Sequence, residues 1–224
     1  MKRGFFSFVG AAATAAFLVL NIGVPLAPAE AQQGHAMTAM ATSTTKASGL
    51  RSTLNRLFQE HIYLAAAATG AALGGREAEF KAAAAALDAN SVSISKAIGS
   101  VYGQGAEEAF LPLWRKHIGM VVDYTAGVAT NDKAKQDKAV ADLIGYTQDF
   151  GAFLQSANPN LPKSVVADLV KHHVVTLKEV IDAQASKDQV KTYTAMRTAA
   201  GHMQMIADPL AEAIVKQFPD RFGG

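Results

Sequence analysis

From Ser48 onward, apolar residues recur at helical spacing. Leu50, Leu54, Leu57, Phe58, Ile62 and Ala65 form one stripe, which predicts a helix from Ser48 as N-cap to about Leu73. Gly74-Gly75 then offers a left-handed turn. A second stripe follows from Arg76 (Phe80, Ala84, Leu87, Ser91, Ile94, Ile98) and ends near Tyr102-Gly103. Two helices joined by so short a turn predict an antiparallel hairpin.

The pattern then returns twice at a spacing of 56 residues. Leu54, Phe110 and Val166 align, as do Leu57, Leu113 and Leu169, Ala65, Val121 and Leu177, and Ile94, Phe150 and Ile206. The second copy predicts helices over 106–129, with Pro112 near the start, and 133–156, joined by Thr130-Asn131-Asp132. After Asn158-Pro159-Asn160-Leu161-Pro162, the third predicts helices over 162–185 and 189–218. Their turn is Ser186-Lys187-Asp188, where Ser186 and Gln189 have the spacing of a capping box, and Pro209 is expected to kink the last helix or end its regular part. The fold class is therefore all-α: one domain, 48–218, of six helices in three tandem 56-residue antiparallel hairpins (48–105, 106–161 and 162–218), with a C-terminal tail at 219–224. Alanine runs at 65–68 and 82–86 allow close helix approach. Periodicity leaves open whether the hairpins stack in an open row or close as a pseudo-threefold bundle.

One polar residue sits inside the stripe at the same place in every copy. His61, His117 and His173 are each framed by apolar residues one turn before and after, so each imidazole faces a core or a helix interface. If the hairpins close, three imidazoles converge as a His₃ arrangement suited to zinc, copper or nickel with an open position. If they stack in a row, equivalent residues lie about 8–10 Å apart and cannot share an ion. The candidate further ligands differ between copies. Met120 shares the helix face of His117, and His202 with Met203 or Met205 lies on the return helix of the third copy. Met203 and Met205 fall on different faces, so at most one can serve with His202. Imidazole with thioether is a copper-like ligand set. His202 corresponds to Asn90 and Tyr146, so that position is polar throughout.

Composition narrows the chemistry. The chain has no cysteine, which excludes disulfides, thiolate metal sites and cysteine nucleophiles. Lys2 and Arg3 before an apolar run over 5–24, with Ala29-Glu30-Ala31 after it, predict a signal peptide over 1–31 and a periplasmic or secreted protein; an uncleaved membrane anchor is the alternative. Cleavage would leave 193 residues with no further spanning segment. Without Lys2, Arg3 and Glu30, the 21 basic and 19 acidic residues become 19 and 18, a balance unsuited to nucleic acid. Residues 32–47 lack apolar periodicity and are expected to be a disordered polar tail, in which His35, Met37 and Met40 are a second candidate copper set.

Catalytic motifs are missing. There is no His-Glu-x-x-His helix, phosphate-binding glycine loop or nucleophile elbow, and Phe58, Trp114, Val170 and Ala199 stand where Glu-x-x-His iron sites need glutamate. Glu60 precedes His61, but Lys116 and His172 replace it in the other copies.

Glu60-His61-Ile62, His117-Ile118-Gly119, Val122-Asp123-Tyr124-Thr125, Ala86-Leu87-Asp88-Ala89-Asn90, Ala97-Ile98, Val101-Tyr102-Gly103 and Asp208-Pro209-Leu210-Ala211 carry a resemblance over residues 50–218. In these segments the chain resembles a group of bacterial secreted proteins built of tandem helical hairpins, whose members often carry a copper amine oxidase label. A copper amine oxidase is a far larger, β-rich enzyme with a modified tyrosine. The resemblance therefore implies an exported helical-repeat protein and adds some weight to copper, not catalysis. The expectation is a non-catalytic protein holding copper, or else haem iron or zinc, through core-facing histidines. The alternative is a metal-free structural or interaction module of the cell envelope, and an enzyme would require an open His₃ ion.

Overall fold

A computed structural model describes residues 45–222, so the expected signal segment and most of the expected tail, with His35, Met37 and Met40, lie outside the described residues. Seven helices and no strand occur among the described residues: α1 (Lys46–Leu73), α2 (Glu77–Tyr102), α3 (Gln104–Ala129), α4 (Lys133–Ala157), α5 (Lys163–Ala185), α6 (Gln189–Gln217) and α7 (Pro219–Phe222). None is long and apolar enough to cross a membrane. The all-α expectation holds.

Three turns share one construction. Gly75, Asn131 and Lys187, each 56 residues from the next, take left-handed backbone with φ of 66°, 53° and 58°. The N–H of the following residue (Arg76, Asp132 and Asp188) donates back to the carbonyls of Ala71, Gly127 and Ala183. The left-handed residues themselves donate to Ala72, Val128 and Gln184. This pair of hydrogen bonds satisfies two carbonyls in the last turn of each of α1, α3 and α5 and reverses the chain.

Several boundaries depart from the sequence expectation. Thr45, not Ser48, caps α1, because its Oγ1 accepts from the Ser48 N–H; residues 46 and 47, expected in the tail, are helical. Ser186 does not open α6: it ends α5, its hydroxyl donating to the Ala183 carbonyl, while the Asp188 carboxylate accepts from Lys191 N–H as the true N-cap. Asp132 does the same for α4 through Lys135 N–H. α3 begins at Gln104, which puts Pro112 well inside it. α6 runs on past Pro209 to Gln217, so the proline does not end the helix. Beside it, Asp208 receives a two-pronged ion pair from Arg51 of α1 (2.8 and 2.6 Å) and a hydrogen bond from Asn55 (2.7 Å). The expected C-terminal tail includes the short α7, and Phe222 packs against the core.

Each long helix packs on its neighbours in the chain, and α6 returns to α1, so the six close into a bundle. α1, α3 and α5 also meet one another, so their apolar stripes share one core. Leu54, Phe110 and Val166 are buried in it, as are Phe58, Trp114 and Val170. One turn further along sit the three histidines.

Candidate metal centre

His61 on α1, His117 on α3 and His173 on α5 are 1%, 3% and 4% exposed. Helical spacing explains this: a residue three after Phe58, Trp114 or Val170 shares their face, which the bundle turns inward. Their ring centroids lie 5.4 Å (His61–His117), 5.7 Å (His61–His173) and 6.2 Å (His117–His173) apart. One nitrogen from each can be chosen so that all three lie within 4.8 Å of one another. A tetrahedral ion with metal–nitrogen bonds of about 2.0–2.1 Å holds such nitrogens about 3.4 Å apart, so a shift of about an ångström would close the group. Among the described residues, no carboxylate joins this group.

An aromatic wall backs the histidines. The Trp114 indole meets His61 and His117 edge-on at 5.1 and 4.7 Å, and Phe58, Phe110 and Phe150 pack round it at 5.8, 5.4 and 6.0 Å. The Tyr146 ring lies 5.3 Å from His117. Buried polar groups nearly always find a partner, yet this site leaves many without one. His61 Nδ1, both ring nitrogens of His117, His173 Nδ1, Trp114 Nε1 and the Tyr146 hydroxyl are buried with no hydrogen bond.

Electrostatics keep the imidazoles neutral. Burial lowers all three pKa values from 6.5 to about 3. Mutual repulsion adds to this: His117 acts on His61, His173 on His117, and His61 and His202 on His173; only at His117 does a backbone carbonyl, that of Trp114, pull the other way, without meeting the geometry of a hydrogen bond. Each ring therefore has a lone pair for an ion at neutral pH. Burial likewise raises the Tyr146 phenol far above its ordinary value.

The other sequence candidates divide. His202 is buried, but its Nε2 lies 2.9 Å from the Leu169 carbonyl and its ring lies 4.1 Å from His172. Asn90, 112 residues earlier, does the same work: its Nδ2 donates to the Leu57 carbonyl at 3.0 Å. Leu57 and Leu169 each stand four residues before a core histidine, so the shared polar position ties a return helix to its partner. Tyr146, the middle equivalent, makes no such bond. Met203 is 1% exposed and lines a small void of about 20 Å³ beside His117 and His173, whereas Met205 is 56% exposed. Met120 is partly buried against the core. Trp114 and Tyr146 are members of the site that were not expected from the sequence. Trp114 stands three residues before His117 and could have been found from that register.

Two hollows lie near. A cleft of about 230 Å³ between α1 and α3 is lined at its inner end by His61 and His117. A larger one, about 710 Å³, lies by the turns around Tyr63, Arg76, Lys187 and Tyr193, and none of the three core histidines lines it. Compared with protein-family models, curated proteins and solved structures, the chain has no significant match.

Proposed function

We propose that the six long helices are three tandem hairpins of one duplicated 56-residue unit, closed so that their equivalent histidines hold a single metal ion, and that the protein is exported and not an enzyme. The repeated left-handed turns at 75, 131 and 187 support the duplication. Lys2, Arg3 and the apolar run after them support export. The observation that carries metal binding is the unpartnered nitrogens of three converging, neutral imidazoles, buried with no carboxylate among them. An ion would take up lone pairs that no protein atom uses.

Copper is the first choice and zinc the second. Imidazole suits both, and the nearby Met203 thioether is a soft group that favours Cu(I). Three converging rings fit a bare ion better than haem, whose iron accepts protein ligands only along its axis.

The test is equilibrium dialysis of the purified mature protein against copper. The expected result is one equivalent bound, with quenching of Trp114, the single tryptophan. Replacing His61, His117 and His173 together by Ala abolishes uptake, while deleting residues 32–44, which spares the Thr45 cap of α1, leaves tight binding intact. Uptake unaltered in the triple variant would overturn the core site and transfer binding to His35, Met37 and Met40. If the histidines only pack, the triple variant instead loses thermal stability equally with and without copper, and wild-type protein binds none.

A further inference from the structure

The cleft between α1 and α3 breaks the symmetry of the repeat. Four, seven and eleven residues after its core histidine, α5 presents Leu177, Val180 and Gln184, and α3 presents Val121, Tyr124 and Val128. At the same offsets α1 presents Ala65, Ala68 and Ala72, and all three line the cleft. Loss of side-chain volume at one register, in one copy of three, opens a way from the surface to two buried imidazoles. Phe80 and Leu87 of α2 and Leu177 of α5 supply further wall, and the half-exposed Val122 belongs to the outer rim.

We infer that this cleft is a binding site for a compact, uncharged, largely apolar molecule carrying one hydrogen-bonding atom, of the size and kind of a simple phenol. Three observations set that class. No lysine, arginine, aspartate or glutamate lines the cleft, so an ionised ligand would be desolvated with no counter-charge. Its volume of about 230 Å³ exceeds the roughly 150 Å³ known to hold benzene in an engineered apolar cavity, so a substituted single ring fits. The polar groups it contains are unequal. The one hydroxyl proton of Thr125 goes to the Val121 carbonyl, and that of Thr69 to Gln184 Oε1 at 2.8 Å, with the Ala66 carbonyl a longer alternative at 3.3 Å, so neither threonine has a proton to offer a ligand. His61 and His117, both more than nine-tenths buried, keep unpartnered nitrogens. The ligand's polar atom therefore meets an imidazole, and its ring meets the alanine wall. The site needs no ion, but it draws on two of the three histidines proposed to hold one, so the test is made on metal-free protein.

The test uses the full mature chain without metal and three probes of one ring size: phenol, benzene and benzoate, followed by calorimetry and by protein NMR. Phenol is expected to bind at one site, at least threefold more tightly than benzene and at least tenfold more tightly than benzoate. Its ring protons should show nuclear Overhauser contacts to the Ala65 and Ala68 methyls. The variant A65L/A68V carries at these two places the residues that α5 already uses, and it should weaken phenol at least tenfold with helical content and Tm unchanged. Should that variant not fold, the contacts in the wild-type protein decide the matter alone. Absence of phenol binding, equal binding of benzoate, or contacts confined to other methyls each overturn the inference. Copper uptake without phenol binding sinks only the cleft, and phenol binding without copper uptake sinks only the ion.

Discussion

His117 is the residue on which packing and function part company. Both of its ring nitrogens are buried without a partner, and an unsatisfied buried polar atom costs about 1–3 kcal/mol. A leucine of similar volume would avoid that cost. His117→Leu is therefore expected to raise the stability of the metal-free protein by about 1–2 kcal/mol in denaturant unfolding, while removing copper uptake. A loss of stability would show that the imidazole is there to pack. The three histidines also set the response to acid. Their folded pKa values, about 3, lie below the unfolded value of 6.5, so below pH 6.5 the unfolded chain takes up protons that the native core refuses. Stability is full above pH 6.5 and falls as pH drops toward 3, by about 1.4 kcal/mol per pH unit for each histidine. Together they are expected to place acid unfolding at about pH 4–5, and a triple leucine variant should hold its circular-dichroism signal to clearly lower pH. The inward register of these residues was legible in the sequence, because helical spacing sets the face. Their lack of partners was not, since it depends on which side chains arrive from other helices.

At the scale of elements, the turns between α1 and α2, α3 and α4, and α5 and α6 fall at the residues expected from the sequence, and their mechanism came only with the backbone. Gly75, Asn131 and Lys187 hold one left-handed position with three different side chains. Glycine takes it without steric cost, asparagine tolerates it, and lysine does neither. Gly75→Ala should therefore lower stability by about 1 kcal/mol, or about 2–4 °C in Tm for a chain of this size, and Lys187→Gly should raise it by up to about the same amount. Thermal melts of the two variants side by side check the opposite signs. The same geometry explains the misplaced cap. Ser186 has the spacing of a capping box, but its backbone is engaged in ending α5, which leaves Asp188 as the first side chain able to reach the α6 amides. Sequence spacing alone cannot tell which of two polar turn residues has its backbone to spare. Pro209 shows the complementary limit: beside it, Asp208 is held by Arg51 and Asn55 from α1, a long-range contact invisible to local propensity.

The whole molecule decides what three histidines spaced 56 residues apart can do. Open stack and closed bundle were equally consistent with the periodicity, because a 56-residue spacing does not say whether the last helix returns to the first. In the structure α6 packs on α1, and α1, α3 and α5 meet inside. Closure turns three imidazoles spaced 56 residues apart into near neighbours, and Met203 of α6 reaches the void beside His117 and His173. The sequence then sets the three helices apart: α3 and α5 carry bulky residues beyond the histidine, and α1 carries the alanines that line the cleft. The most direct test is anomalous diffraction at the copper edge from crystals of the copper-loaded protein. One peak is expected, about 2 Å from a ring nitrogen of each of His61, His117 and His173. A peak elsewhere, or none within coordinating distance of these three rings, would contradict the proposed metal site.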